Sequence, residues 1–282
     1  MSIKNEDPIL NGNLLQLKDG VYYDKVKDSY VFTSGGFENL GPFSVAFQIT
    51  RRCNANCIHC IAADPKPELE TKDMLKIAER LAEGGVKKIC VTGGEPLVRD
   101  DLAQILEKFA DLGMTITLST NGLLITKDRL KKLQPHLANI RFSLHGLEEN
   151  NDRVFRKKGA FKRILKSIEL SKSSGLPVSV IFSVMRNNIE DLPDVAKILE
   201  RKGVNKLMIF TLMAGGRAKD IFDREFIHVT ETQSAVNQLS KLKNKENWDL
   251  EFSIVSWRIE GQCLLISPEG TMFGYDLSSG DH

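Results

Sequence analysis

The run Cys53-Asn54-Ala55-Asn56-Cys57-Ile58-His59-Cys60 decides the reading of this chain. Its three thiols stand at C-x3-C-x2-C spacing just after the apolar run Ser44-Val45-Ala46-Phe47-Gln48-Ile49, so they sit in a loop that leaves a strand. Three thiolates fill three corners of an iron–sulfur cubane and leave the fourth iron open to a small chelating molecule. The rival reading is a structural zinc knuckle in which His59 or a distant residue joins the cysteines. His59 is wedged between Ile58 and Cys60, badly placed to share a tetrahedron with its neighbour, and zinc sites usually bring two separated ligand pairs.

Outward from the loop, β-branched apolar runs alternate with amphipathic stretches, the mark of βα units around a parallel sheet. Strands are predicted at 44–49, 88–92, 115–119, 139–144, 178–184 and 206–211, and helices at 71–83, 100–112, 127–134, 160–174, 190–202 and 231–245. Gly113, Gly175 and Gly203 fall just past three of these helices, where C-terminal caps belong. Six units make an α/β fold, an open partial (β/α)6 barrel, and in parallel barrels chemistry gathers at the C-terminal strand ends. Polar and glycine residues cluster at those ends: Ser119-Thr120-Asn121-Gly122, Ser143-Leu144-His145-Gly146, Met185-Arg186-Asn187-Asn188 and Met213-Ala214-Gly215-Gly216-Arg217. Cys90, inside an apolar strand, reads as a buried small hydrophobe.

A second motif, Thr92-Gly93-Gly94-Glu95-Pro96, ends the next strand. Together with the cysteine loop it resembles the radical SAM enzymes over roughly residues 43–217. Within them the likeness is to the subgroup that holds the molybdenum-cofactor GTP cyclase, haem-pathway enzymes and peptide maturases. The resemblance implies a [4Fe–4S] cluster on Cys53, Cys57 and Cys60, with S-adenosylmethionine on its open iron. It implies that Gly93 and Gly94 let the backbone approach the methionine end of that cofactor, which a Cβ would prevent, and that Glu95 holds its ammonium group. Ser143 would bond its polar end, Met213 would lie along its adenine, and His59 would contact the adenine. Thr120, Asn121 and Arg186 would border cofactor or substrate. Ser143, His145 and Met213 also admit plain structural readings, as a strand end, a satisfied loop histidine and core filler. The implied reaction is one-electron cleavage of S-adenosylmethionine to a 5′-deoxyadenosyl radical that takes a hydrogen atom from substrate, with a flavodoxin or ferredoxin supplying the electron.

Composition fits a single-chain enzyme. The 282 residues can bury a large core, and 39 Lys and Arg against 37 Asp and Glu leave a net charge of +2. That balance gives no broad field for nucleic acid or membrane, and Arg156-Lys157-Lys158 reads as a solvated loop. Met1-Ser2-Ile3-Lys4-Asn5-Glu6-Asp7 lacks an apolar signal core, and no stretch approaches the ~18 apolar residues that span a bilayer. Five cysteines, three of them clustered, make no disulfide framework and point to a reducing cytoplasmic location.

Residues 1–42 read as an N-terminal extension with a small hairpin at 20–23 and 29–33, 43–246 as the barrel, and 247–282 as a C-terminal β-hairpin extension. In the last segment 251–257 and 263–267 flank a loop, and Pro268-Glu269-Gly270 turns into 271–275. This resembles a degenerate or shortened SPASM or twitch extension: Cys263 matches its first cysteine, and Gly274-Tyr275-Asp276 stands where a second is usual. One thiol builds no auxiliary cluster. Ala46 stands where the GTP cyclase carries a strand-one arginine, which sets that identity aside. The substrate expected is a small molecule of sugar, nucleoside or tetrapyrrole type, with a peptide maturase or epimerase as the alternative. In an epimerase Cys263 or Tyr275 would return the hydrogen atom. A non-catalytic, metal-stabilised binding module is the reading from another class, and the intact cysteine spacing argues against it.

Overall fold

Each predicted barrel strand turns its apolar alternates to one side, as a period-2 pattern requires, and amphipathic helices cover that side. The computed structural model describes the backbone strands at 14–18, 21–24 and 29–32 and the stretches 44–62, 67–255 and 263–275, with side chains described for 44–62, 67–255 and 265–271. The chain divides into two units, Met1–Gly41 and Pro42–His282.

In the first unit β1 (Leu14–Lys18), β2 (Val21–Asp24) and β3 (Ser29–Phe32) form an antiparallel sheet in that order. The hairpin expected there is β2 with β3, paired from Val21↔Phe32 to Asp24↔Ser29. The strand β1, which extends it, has no counterpart in the sequence reading.

The second unit is built on β4 (Ser44–Gln48), β5 (Lys88–Thr92), β6 (Thr115–Thr120), β7 (Asn139–Ser143), β8 (Val178–Val184), β9 (Lys206–Thr211), β10 (Glu251–Val255), β11 (Cys263–Ile266) and β12 (Met272–Tyr275). Their order is β10-β9-β8-β7-β6-β5-β4-β11-β12. Eight of these strands run parallel and curl into a partial barrel, and only β12 is antiparallel. The six expected strands are the middle of this sheet.

The two end segments depart from expectation. β10 extends the barrel by pairing parallel to β9, while β11 pairs parallel to β4 at the opposite edge. The hairpin expected around Pro268-Glu269-Gly270 is β11 with β12, in register Cys263↔Tyr275. An apolar run bounded by turns looks the same whether its partner is the next strand or one across the barrel, so only pairing separates the two.

The helices are α1 (Thr71–Glu83), α2 (Leu102–Asp111), α3 (Lys127–Leu133), α4 (Glu148–Phe155), α5 (Ala160–Ser173), α6 (Leu192–Arg201), α7 (Phe222–Glu225) and α8 (Val229–Glu246). Helix α2 buries Leu102, Ile105, Leu106 and Phe109, and α6 buries Leu192, Val195, Ala196 and Leu199, each an i, i+3, i+4, i+7 stripe. They close over Val45, Phe47, Ile89, Val91, Ile116, Leu118, Ile140 and Phe142, the convex face of the sheet, in one continuous core. Phe47 and Phe109 meet edge to face with centroids 6.1 Å apart. Each such side chain contributes about 1.5–3 kcal/mol on burial.

The other alternates, among them Gln48, Cys90, Thr117, Ser119, Arg141 and Ser143, are half-buried and line the concave face. Cys90 therefore belongs to this polar surface and not to the core expected for it. Among the described residues no helix is long and apolar enough to cross a membrane.

Candidate active site

The cysteine loop follows β4 and is fixed to its neighbours by backbone contacts from three sides. The glycines after β5 make the first. Gly93 takes φ +134, and a Cβ there would lie 2.3 Å from the Thr50 carbonyl oxygen; a Cβ on Gly94 would lie 2.3 Å from that of Arg52. No side chain fits. In their place the Gly94 N–H donates to the Thr50 carbonyl at 2.7 Å and the Glu95 N–H to the Arg52 carbonyl at 2.9 Å. The close approach that these glycines permit is thus to the cysteine loop itself, a reason the sequence alone did not supply.

The second contact comes from α4, which sequence periodicity missed: the Val154 carbonyl accepts from Ile58 N–H at 2.9 Å, and Lys157 Nζ donates to the Asn54 carbonyl at 3.2 Å. The third comes from the segment after β9. Arg217 donates from Nε to the Cys57 carbonyl and from its backbone N–H to the Cys60 carbonyl, both at 2.9 Å. Gly216 lets that backbone lie against Cys60, whose carbonyl oxygen would be 2.6 Å from a Cβ. Ile58 packs into a small satellite core of Val154, Met185, Leu212, Ala218 and Ile221.

The entry to the loop is held by Glu68. Its Oε1 accepts from Thr50 Oγ1 at 2.5 Å and from the Arg51 N–H at 2.9 Å, and these donors hold its carboxyl below the usual range although burial opposes them. Arg99, nearly buried, joins the carbonyls of Ile49 and Leu69 to Asp101.

Glu95 is fully buried. It accepts from Asn121 N–H at 2.7 Å, Thr120 Oγ1 at 2.8 Å and Leu97 N–H at 3.1 Å, so the end of β5 is tied to the end of β6. Burial raises its pKa to about 7, and the three donors only partly oppose this. A carboxylate has about four acceptor positions, so three donors leave room for one more. The expectation that Glu95 is there to hold an ammonium group is joined by a structural duty: it bridges two loops.

Asn121 belongs to the site. Its Nδ2 donates to Asn54 Oδ1 at 2.7 Å and reaches Cys53 Sγ at 3.7 Å, while its Oδ1 accepts from Leu123 N–H at 3.0 Å. His59 meets His145 edge to face at 4.4 Å, and His145 stacks on Phe155 at 5.6 Å. Burial holds both rings neutral, lowering His59 to about 4 with help from the Arg217 charge. His145 Nδ1 accepts from Ser183 N–H at 3.0 Å, and His59 Nδ1 is buried without a partner. His145 is the satisfied loop histidine of the plain reading, here supporting His59.

Ser143 and Met213 lie half-buried at the ends of β7 and β9, on the same side as the loop. Arg186 is not brought in: its side chain, 58% exposed, turns to the Phe226 carbonyl at 3.3 Å and Glu231 at 3.7 Å. The side chains of Cys263 and Tyr275 lie outside the described residues. Sequence reasoning left out Val154, read Lys157 as part of a solvated loop although it donates to Asn54, and gave Asn54 and Arg217 no role. Only Arg217 carried a signal, its place after the glycine pair at a strand end.

The donor set fits an iron–sulfur cluster. Cys53 is exposed, Cys57 and Cys60 half-buried. Burial and the neighbouring Cys53 and Cys60 sulfurs push the Cys57 thiol up to about 12, a crowding of negative charge that a multivalent cation relieves. Among the described residues no three of His, Cys, Asp and Glu converge to hold a single metal ion. A cubane spreads its cysteines over separate irons, so they need not meet at one centre.

The model of the radical SAM superfamily matches residues 47–199. The Fe-coproporphyrin III synthase of Methanosarcina barkeri is 30% identical over 206 residues, 71% of this chain and 51% of that protein. The sporulation killing factor maturation protein SkfB of Bacillus subtilis is 25% identical over 238 residues, 83% of this chain and 57% of that protein. The chain thus spans little more than half the length of these relatives. Among solved structures, Streptococcus suis SuiB bound to S-adenosylmethionine superposes with a TM-score of 0.74 at 14% identity, covering 86% of this chain and 63% of that one, a likeness of fold.

Proposed function

The chain belongs to the radical SAM superfamily, whose members use a [4Fe–4S] cluster and S-adenosylmethionine, and from that premise we propose that it is an enzyme abstracting a hydrogen atom from a small-molecule substrate. One observation carries the reading: three thiols on one loop, clamped from β5, α4 and the segment after β9 at the C-terminal mouth of a parallel partial barrel. Cys53, Cys57 and Cys60 would hold the cluster. When bound, the cluster supplies the electron that splits S-adenosylmethionine to methionine and the hydrogen-abstracting 5′-deoxyadenosyl radical.

The chain's own residues bind and orient. His59, buried and neutral, presents no charge to an adenine, and Met213 offers a soft apolar surface for it. Ser143 supplies a hydroxyl at the strand end for the cofactor's polar part. The backbone of Gly93, Gly94 and Glu95 meets its methionine end, and Thr120 and Asn121 hold that segment in place. Asn121 also donates toward the Cys53 sulfur, a contact that tunes a cluster's potential. Cys53 is the exposed cysteine, which leaves an edge of the loop open to a flavodoxin or ferredoxin.

A tetrapyrrole-type substrate is supported by the relatives named as Fe-coproporphyrin III synthase and AdoMet-dependent heme synthase. A peptide is the second reading, favoured by the relatives named SkfB and PqqA peptide cyclase. The test is anaerobic reconstitution with iron and sulfide, then reductant and S-adenosylmethionine. Methionine and 5′-deoxyadenosine should form in the wild type and not in Cys53→Ala. Undiminished turnover in that variant would remove Cys53 from the site.

A further inference from the structure

The concave face of the sheet carries a cation that no described residue neutralises. Arg141, in the middle of β7, faces the lumen, half-buried. Its Nη1 reaches across β6 to Cys90 Sγ on β5 at 3.7 Å, and its Nε is buried without a partner. Among the described residues no carboxylate pairs with it. A buried guanidinium N–H left unpaired is costly, by several times what a neutral group would lose, so its retention needs a ligand.

The surroundings are polar in a regular way. Ser119, Arg141, Ser179, Lys206 and Glu251 stand opposite one another in register from β6 to β10. Two more lumen atoms, Gln48 Oε1 and Ser253 Oγ, are also buried without partners. An apolar substrate would leave Arg141 Nε, Gln48 Oε1 and Ser253 Oγ unsatisfied, whereas an anion with its own hydrogen-bonding groups would complete them.

We propose that the lumen is a carboxylate-binding subsite, in which Arg141 anchors a carboxylate of the substrate below the cysteine loop and beside Cys90. The planar guanidinium suits a carboxylate in paired N–H···O geometry better than a lysine would. The proposal rests on the functional reading above, because it takes the lumen to be where substrate lies. It names the substrate class that reading leaves open: an acid, whether tetrapyrrole or peptide.

Cys90 provides the probe. In the cluster-loaded chain, kept anaerobic so that the loop cysteines stay ligated, Cys90 is alkylated with iodoacetate or with iodoacetamide and the modified peptide is followed by mass spectrometry. In each case the thiolate displaces iodide. Burial raises the Cys90 thiol while the Arg141 charge lowers it, yet both reagents meet the same thiolate fraction, so the ratio of their rates, divided by the same ratio on free glutathione and read in that corrected form below, reports attraction for the carboxylate. We expect iodoacetate to be faster by about tenfold, the size of one charged hydrogen bond. Arg141→Met should abolish the preference, and Arg141→Lys should retain part of it. A preference for iodoacetamide, an equal ratio in Arg141→Met, or no labelling of Cys90 by either reagent would each overturn the proposal. Labelling needs neither S-adenosylmethionine nor reductant, so its failure is separate from failure of 5′-deoxyadenosine formation.

Discussion

Replacing Gly94 by alanine asks what the glycine pair is for. If the glycines only make room for a cofactor, Gly94→Ala leaves the empty chain as stable as before and weakens S-adenosylmethionine binding alone. The geometry says otherwise. The added Cβ would stand 2.3 Å from the Arg52 carbonyl oxygen and 2.7 Å from that of Arg51, both backbone atoms that no rotamer change can clear. Ordinary contact lies more than an ångström farther out, so either the segment after β5 or the cysteine loop must shift. Shifting it lengthens the 2.7 Å and 2.9 Å bonds from Gly94 and Glu95 to Thr50 and Arg52. Overpacking of this kind costs about 1–3 kcal/mol, and the stressed hydrogen bonds about 1 kcal/mol more. For a chain of this size the apo form should melt about 4–10 °C lower. Iron and sulfide retained after reconstitution should fall in parallel, because the loop that carries Cys53 is displaced. The assay is thermal unfolding of the iron-free chain beside iron and sulfide analysis of the reconstituted one. A Gly94→Ala chain with unchanged melting and full iron content would refute the account.

Two further outcomes follow from single contacts. Burial lifts Glu95 to about 7, so between about 4.5 and 7 the unfolded chain gives up this proton and the folded chain does not. Stability should therefore fall by about 3 kcal/mol as pH rises through that window and level off above it, and Glu95→Gln should flatten the slope in urea titrations of the apo chain; an unchanged slope would place the titration elsewhere. Arg217→Met removes a charged donor at 2.9 Å from the Cys57 carbonyl, worth about 1.5–3 kcal/mol, and should speed chelator-driven iron release by about tenfold or more. Release at the wild-type rate would show that Arg217 does not hold the loop.

Much of the architecture was legible in the chain because its signals are local. Periodicity places six strands and six helices, and the stops at Gly113, Gly175 and Gly203 fall just after α2, α5 and α6. Helix α4 escaped because Glu148–Phe155 is short and mostly polar, and only Asn151, Val154 and Phe155 are buried. Yet its Val154 carbonyl is one of the clamps on the cysteine loop. The partners of β10 and β11 escaped because pairing across the sheet leaves no trace in local pattern.

What the sequence determined by itself is the chemistry of the donors: three thiols at cluster spacing, and a glycine pair that permits a close backbone approach. Spacing along one loop and a residue's intrinsic conformational range are properties of the chain before it folds. Tertiary structure decided what those residues meet. The glycines meet Thr50 and Arg52, Glu95 meets Thr120 and Asn121, Arg186 turns to Glu231, and Arg141 lies across the lumen beside Cys90. Each of those encounters joins residues brought together by sheet register or loop packing, and such distances exist only once the barrel has curled.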